Sequence, residues 1–204
     1  MSAPWNRWFH CIGGTYGSWL PGDPRGFRTR HHREHVEGDY RNPPPAGIYE
    51  TRHRQAEDSL RFDPVTLHPD DRRIVCLAMA QTLLAYGVEL IDMSVGGQHF
   101  HALCRFPLEL PASPDGSQRP TPQNLLADGR DPIGRHILGR AKRAASVAML
   151  RGGPETKKPE GRPLWAKRTK FEPIRNRQHQ LNVVAYIRGH AQEGAVIWSQ
   201  IREQ

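Results

Sequence analysis

At 204 residues the chain has room for one domain with a sizeable insertion, and an apolar share of 37% with 19 glycines and 18 prolines implies a core interrupted by many loops. Lys and Arg number 29 against 21 Asp and Glu, a formal charge of +8 that favours a polyanionic partner, nucleic acid first. No apolar run approaches the roughly 20 residues of a membrane span, and the unpaired spacing of Cys11, Cys76 and Cys104 excludes a disulfide scaffold in favour of reduced, buried thiols.

Arg7 to Thr15 reads as a first strand, closed by the turn-rich run Gly17 to Gly26. Residues 28–62 are basic, His-rich and Pro-rich without periodicity, and read as a loop-rich insertion. The run Arg30-His31-His32-Arg33-Glu34-His35 within it reads as a solvated or phosphate-contacting arm rather than a metal tract. Pro69 with Asp70 and Asp71 opens a helix whose stripe is Val75, Met79, Leu83 and Tyr86, ended by Gly87. Val88 to Val95 and Gln98 to Phe106 form a hairpin about Gly96-Gly97.

After a long loop at 107–131, Ile133 to Leu150 predicts a second helix, buried through Ile133, Ile137, Ala141, Ala144 and Ala148. Leu164 to Ile174 predicts a fourth strand. Asn176 caps a last helix running to about Glu193, packed through Leu181, Val184, Ala185 and the stem of Arg188. The order of the first six elements matches a single α+β domain over residues 1–204. Its core would be a ferredoxin-like split βαβ antiparallel sheet, with an added C-terminal helix.

Side chains two apart on a strand share a face. His99 and His101 therefore stand side by side, with Phe100, Ala102, Cys104 and Phe106 turned into the core. Tyr186 and His190 lie one turn apart on the last helix. Together the two pairs bring three imidazoles and a phenol toward one point. That set suits phosphodiester cleavage: imidazoles hold a divalent cation such as Mn²⁺, or Mg²⁺ in a mostly oxygen site, and a tyrosine oxygen attacks phosphorus. His10 reads as a strand residue without a catalytic part, and His179, about two turns before Tyr186, either touches DNA or lies on the surface.

These residues resemble a known family. His99-Phe100-His101 is similar to the HUH motif of single-tyrosine endonucleases. The segment from Trp165 to Ile197 resembles the C-terminal block of the REP-associated tyrosine transposases: a Trp-containing strand, the Ile174-Arg175 pair, a Tyr186-Ile187 helix and a Gly-containing tail. Gly14 to Phe27, GTYGSWLPGDPRGF, resembles an N-terminal signature of the same group. The resemblance implies a nuclease-transferase that nicks and rejoins single-stranded or hairpin DNA. Tyr186 would be the nucleophile, forming a 5′-phosphotyrosine link and freeing a 3′-hydroxyl, with His99, His101 and His190 holding the metal. Where the family has Asn-Pro after the Tyr-Ile helix, this chain has Gly189-His190-Ala191-Gln192. If that asparagine helps to hold the metal, His190 replaces it or the site is impaired.

Single strands require phosphate contacts and stacking aromatics. The candidates are Arg140, Lys142 and Arg143 on the second helix, and Lys167, Arg168 and Lys170 beside Trp165 on the fourth strand. Trp19, Asp23 and Arg25 either order a turn or read bases. The alternative readings are a non-catalytic DNA-binding protein derived from such a transposase, and a phosphoesterase using activated water. Either a monomer or a homodimer is compatible with the sequence, and a cytoplasmic location without membrane contact is expected.

Overall fold

Strand β1 (Trp8–Thr15) lies inside a five-stranded antiparallel sheet, between β5 (His99–Arg105) and the edge strand β6 (Trp165–Pro173). Beyond β5 come β4 (Glu89–Val95) and the other edge strand, β7 (Val196–Ser199), giving the order β6-β1-β5-β4-β7. A two-stranded pair, β2 (Phe27–Arg28) and β3 (His35–Val36), stands apart. The helices are α1 (Glu50–Asp58), α2 (Pro69–Ala85), α3 (Pro132–Arg151) and α4 (Arg177–Gly189). The computed structural model describes residues 5–23, 27–28, 35–36, 47, 49–110, 132–151 and 161–200. Arg25, the Arg30–Glu34 run and most of the 107–131 loop lie outside the described residues. The architecture is mixed α and β, and none of its helices is long and apolar enough to cross a membrane among the described residues.

The sheet has two unequal faces. Cys11, Leu90, Met93, Val95, Phe100, Ala102 and Cys104 point into the larger core with α2 and α3. The stripe Val75, Met79, Leu83 and Tyr86 is buried there as its spacing predicts, and all three cysteines are buried free thiols. Burial pushes the Cys76 thiol up to about 12, so it stays protonated. On α3 the buried line is Ile137, Leu138, Ala141, Ala145 and Met149. Ala144 and Ala148, expected inside, are half-buried. The small alanine side chains on several faces leave the stripe ambiguous by one residue.

The opposite face carries α4 on a small core of Trp8, Leu103, Ile174, Val183 and Ile187. Leu181 and Ala185, expected to pack, are exposed, and Val183 and Ile187 take that role. Asn176 caps the helix, its side-chain oxygen accepting from His179 N at 2.8 Å. The helix ends at Gly189 rather than near Glu193, continuing as a 3₁₀ turn, His190–Glu193, that Gly194 closes with φ +75°. Two further elements were unexpected. Helix α1 buries no residue, so it has no apolar period to read. Strand β7 is only four half-buried residues, with the chain before it fixed by Arg72, whose Nη1 donates to Gly194 O at 2.7 Å.

A β-bulge directs the junction between α4 and the sheet. Leu90 pairs with Cys104 while Asp92 pairs with Leu103, so Ile91 is an extra residue on β4. Without it, Asp92 would face the α2–α3 core with Leu90. With it, Asp92 faces α4 and meets Arg188: Nε donates to Oδ2 at 3.2 Å and Nη2 to Oδ1 at 3.4 Å. Arg188 Nη2 also donates to Ser199 Oγ at 3.2 Å, joining α4, β4 and β7. The Asp92 side chain has no exposed surface, whereas Arg188 keeps 35%. Removing one partner strands a charge. Asp92→Ala is expected to lower the unfolding free energy by about 2–3 kcal/mol, while the double variant Asp92→Leu with Arg188→Met loses less than the sum of the single changes. Urea denaturation of the four proteins checks this, and strictly additive losses would dissolve the coupling.

Candidate metal and tyrosine site

On β5, Phe100 and Ala102 fill the large core and turn His99 and His101 to the α4 face. Strand β1 permits this by carrying Gly13 opposite Phe100, where any Cβ would fall on the Phe100 ring. His190 arrives from the 3₁₀ turn after α4. The three rings pack with centroids 5.0 Å (His99–His101), 5.2 Å (His99–His190) and 4.7 Å (His101–His190) apart. One ring nitrogen from each lies within 4.8 Å of the others, so His99, His101 and His190 can together hold a metal ion. The convergence expected from the two spacings, two apart on a strand and the end of a helix, is present.

The fit is sharpened by what orients each ring. His190 Nδ1 lies 3.1 Å from Glu193 Oε2. An ionised carboxylate only accepts, so Nδ1 is the donor of this pair, and in the neutral ring the lone pair is on Nε2. That Nε2 is buried with no hydrogen-bond partner among the described residues. A buried imidazole nitrogen without a partner is costly in an apoprotein and is what a metal ligand requires.

His101 is held from its other side by His10 on β1, whose Nε2 is 3.0 Å from His101 Nδ1. With His101 donating from Nδ1, its Nε2 is free toward His99 and His190. His10, read from the sequence as having no part here, thus sits against a ligand. The signal was available only through the register: His10 pairs with Leu103, one diagonal step from His101. Both rings are held neutral. Burial, then the neighbouring His10, His99 and His190, lowers the His101 pKa to about 2. Burial likewise takes His10 down to about 4, although the Glu172 carboxylate pulls the other way. Low proton affinity favours a metal at neutral pH, because fewer protons compete for the lone pairs.

Tyr186 stands over this cluster. Its ring is edge-on to His190 at 4.8 Å, to His101 at 5.1 Å and to His10 at 5.9 Å, and it is 43% exposed. One side of the phenol therefore touches the histidines while the other is open to solvent. The i, i+4 spacing of Tyr186 and His190 survives the change from α to 3₁₀ geometry at Gly189.

The basic candidates divide. Lys167, Arg168 and Lys170 line a groove beside His99. Lys170 is also paired with Glu172 at 2.9 Å, a hydrogen bond that holds the Glu172 carboxyl below its usual range. Trp165 is not presented for stacking: it is 8% exposed, packs edge-on against Phe100 at 5.4 Å, and donates from Nε1 to Lys142 O at 2.8 Å. Lys142 in turn donates to Ala166 O at 2.8 Å, and burial lowers its pKa to about 8. These two residues join α3 to β6 instead of facing a ligand. Arg140 and Arg143 lie on α3, across the sheet from the histidines. No family model matches the chain, and no curated protein or solved structure is found to match it.

Two outcomes follow from the histidine cluster. Because His10 and His101 have folded pKa values below the unfolded 6.5, the unfolded chain takes up protons that the folded chain refuses. The metal-free protein should be fully stable above about pH 6.5 and lose stability toward pH 4, by up to about 1.4 kcal/mol per pH unit for each histidine. Urea denaturation at stepped pH measures it, and His10→Asn should flatten the slope by about one proton's share. Second, His10→Ala leaves His101 unheld, and its Mn²⁺ affinity should fall by about 10- to 100-fold in calorimetric titration.

Proposed function

We propose that this chain is a metal-assisted, single-tyrosine nuclease-transferase acting on single-stranded or hairpin DNA, of the REP-associated tyrosine transposase kind. The observation that carries the reading is Tyr186 in ring contact with His101 and His190 of a three-imidazole cluster. The sheet order β6-β1-β5-β4, with α2 and α3 on one face, supports a ferredoxin-like split βαβ core to which α4 adds the nucleophile.

In this reading His99, His101 and His190 hold a divalent cation. Three imidazoles with no carboxylate among them favour Mn²⁺ over Mg²⁺, which prefers oxygen. Such an ion, when bound, supplies positive charge to the phosphate under attack. Tyr186 Oη attacks phosphorus; an O–P bond forms, the bond from phosphorus to the 3′-oxygen breaks, and that oxygen takes up a proton. The phenol proton leaves to solvent, to which the ring is open. The product is a 5′-phosphotyrosine and a free 3′-hydroxyl. Reversal by another 3′-hydroxyl rejoins DNA without an external energy source. His10 and Glu193 act as positioning residues, fixing two imidazoles. Tyr186 and the three histidines come together within one chain, an arrangement compatible with a monomer or a homodimer.

Incubation of the protein with labelled hairpin DNA and Mn²⁺, resolved under denaturing conditions, is expected to give a covalent adduct. Tyr186→Phe should abolish the adduct with DNA binding nearly intact, and a chelator should abolish it for the unmodified protein. Adducts in the Phe variant would remove Tyr186 as nucleophile. Cleavage without adducts in either protein would assign the attack to water, and binding without cleavage would leave the DNA-binding reading.

A further inference from the structure

The pairing of β6 with β1 is broken where the groove beside His99 lies. Gly13 pairs with Thr169 and Thr15 with Trp165, so β6 takes four residue steps where β1 takes two. The intervening residues Ala166 to Arg168, three against Gly14 alone, leave the register and line a groove of about 610 Å³. Ile12, Gly13, Gly14 and Trp19 line it as well.

Trp19 is placed there by a specific backbone path. The chain leaves β1 at Thr15 and turns back, with Ser18 Oγ donating to Thr15 O at 2.7 Å. Gly14 permits the turn to lie flat on the strand, because a Cβ there would fall on Ser18 Oγ. Gly17 has φ +76°, and Trp19 itself adopts φ +57°, a left-handed conformation rare for a large side chain. The indole edge then comes down beside Gly14, the residue that pairs with His99. Trp19 remains 41% exposed. Lys167 and Arg168 line the same groove.

We infer that this groove is a nucleobase subsite: Trp19 stacks one unpaired base of the DNA strand while Lys167 and Arg168 take the adjoining phosphates, one strand position from His99. The inference rests on the nuclease-transferase reading and names the part of the substrate it engages. An exposed aromatic side chain and cations lining one groove are what a single strand needs, since every base offers a π-face and every linkage a charge. A free phosphate would use the cations but not the indole.

Binding of a fluorescein-labelled oligothymidylate of about 12 nucleotides is measured by anisotropy in Mn²⁺, in a Tyr186→Phe background that cannot cleave. Trp19→Ala should weaken binding by about tenfold, the worth of one stacked base, while Trp19→Phe keeps most of the affinity. Replacing single thymidines by abasic sites should reveal one position that costs the Trp19 protein about tenfold and costs Trp19→Ala nothing. A flat abasic scan, or a Trp19→Ala affinity equal to that with Trp19, overturns the stacking subsite. If adducts still form with Trp19 and Tyr186 both present, the nuclease-transferase reading survives that failure. Absence of both binding and adducts overturns the reading and the subsite together.

Discussion

The bidentate contact between Arg188 and Asp92 is what holds the site in one piece. Helix α4 buries only Val183 and Ile187 fully among its apolar side chains, too little surface to fix its position closely. A charge pair with one member wholly buried is different, because it has one acceptable geometry and a severe penalty for the rest. Arg188 stands between Tyr186 and His190, so the clamp sets both within two residues. The β4 bulge at Ile91 is part of the same device. One inserted residue turns the carboxylate from the large core to the α4 face, and the phenol and the third imidazole follow from that turn.

The histidine cluster obeys a related constraint in reverse. Crowding His10 and His101 under a helix holds both neutral, since burial penalises a charge on either ring. Neutral imidazoles then need partners for their N–H groups. Glu193 Oε2 lies against His190 Nδ1, and the contact between His10 Nε2 and His101 Nδ1 takes up one more N–H. What remains are lone pairs aimed inward, with His190 Nε2 unsatisfied among the described residues. A cation held by such a cluster would meet the unsatisfied nitrogen, which would couple metal affinity to stability.

Much of this was legible because the relevant periods are short. Alternation placed His99 and His101 on one face and Phe100 and Ala102 on the other, and the helical repeat placed Tyr186 above His190. The unseen features are those without a period. His10 enters through register between strands far apart in sequence. Asp92 enters through a bulge that breaks the alternation it would have been read from. Helix α1 buries nothing, so hydrophobic patterning had nothing to report. Trp165 and Lys142 looked like ligand-binding residues by type, and only packing shows that the indole and the ammonium serve the α3–β6 junction.

The excess of basic residues acquires direction only from the fold. Strand β6 is a sheet edge, and lysines on an edge are commonly a guard against pairing with another chain. A guard needs charge spaced along the strand and nothing more. On β6 the charges gather where the strand loses register with β1, opposite an exposed indole and beside a cluster of metal-competent histidines. Arg140 and Arg143, equal in charge, stand on the far layer with no such neighbours. Charge of the same sign thus has different neighbours on the two faces, and the face that also carries Tyr186 is the one on which the proposed DNA strand would lie beside the histidine cluster.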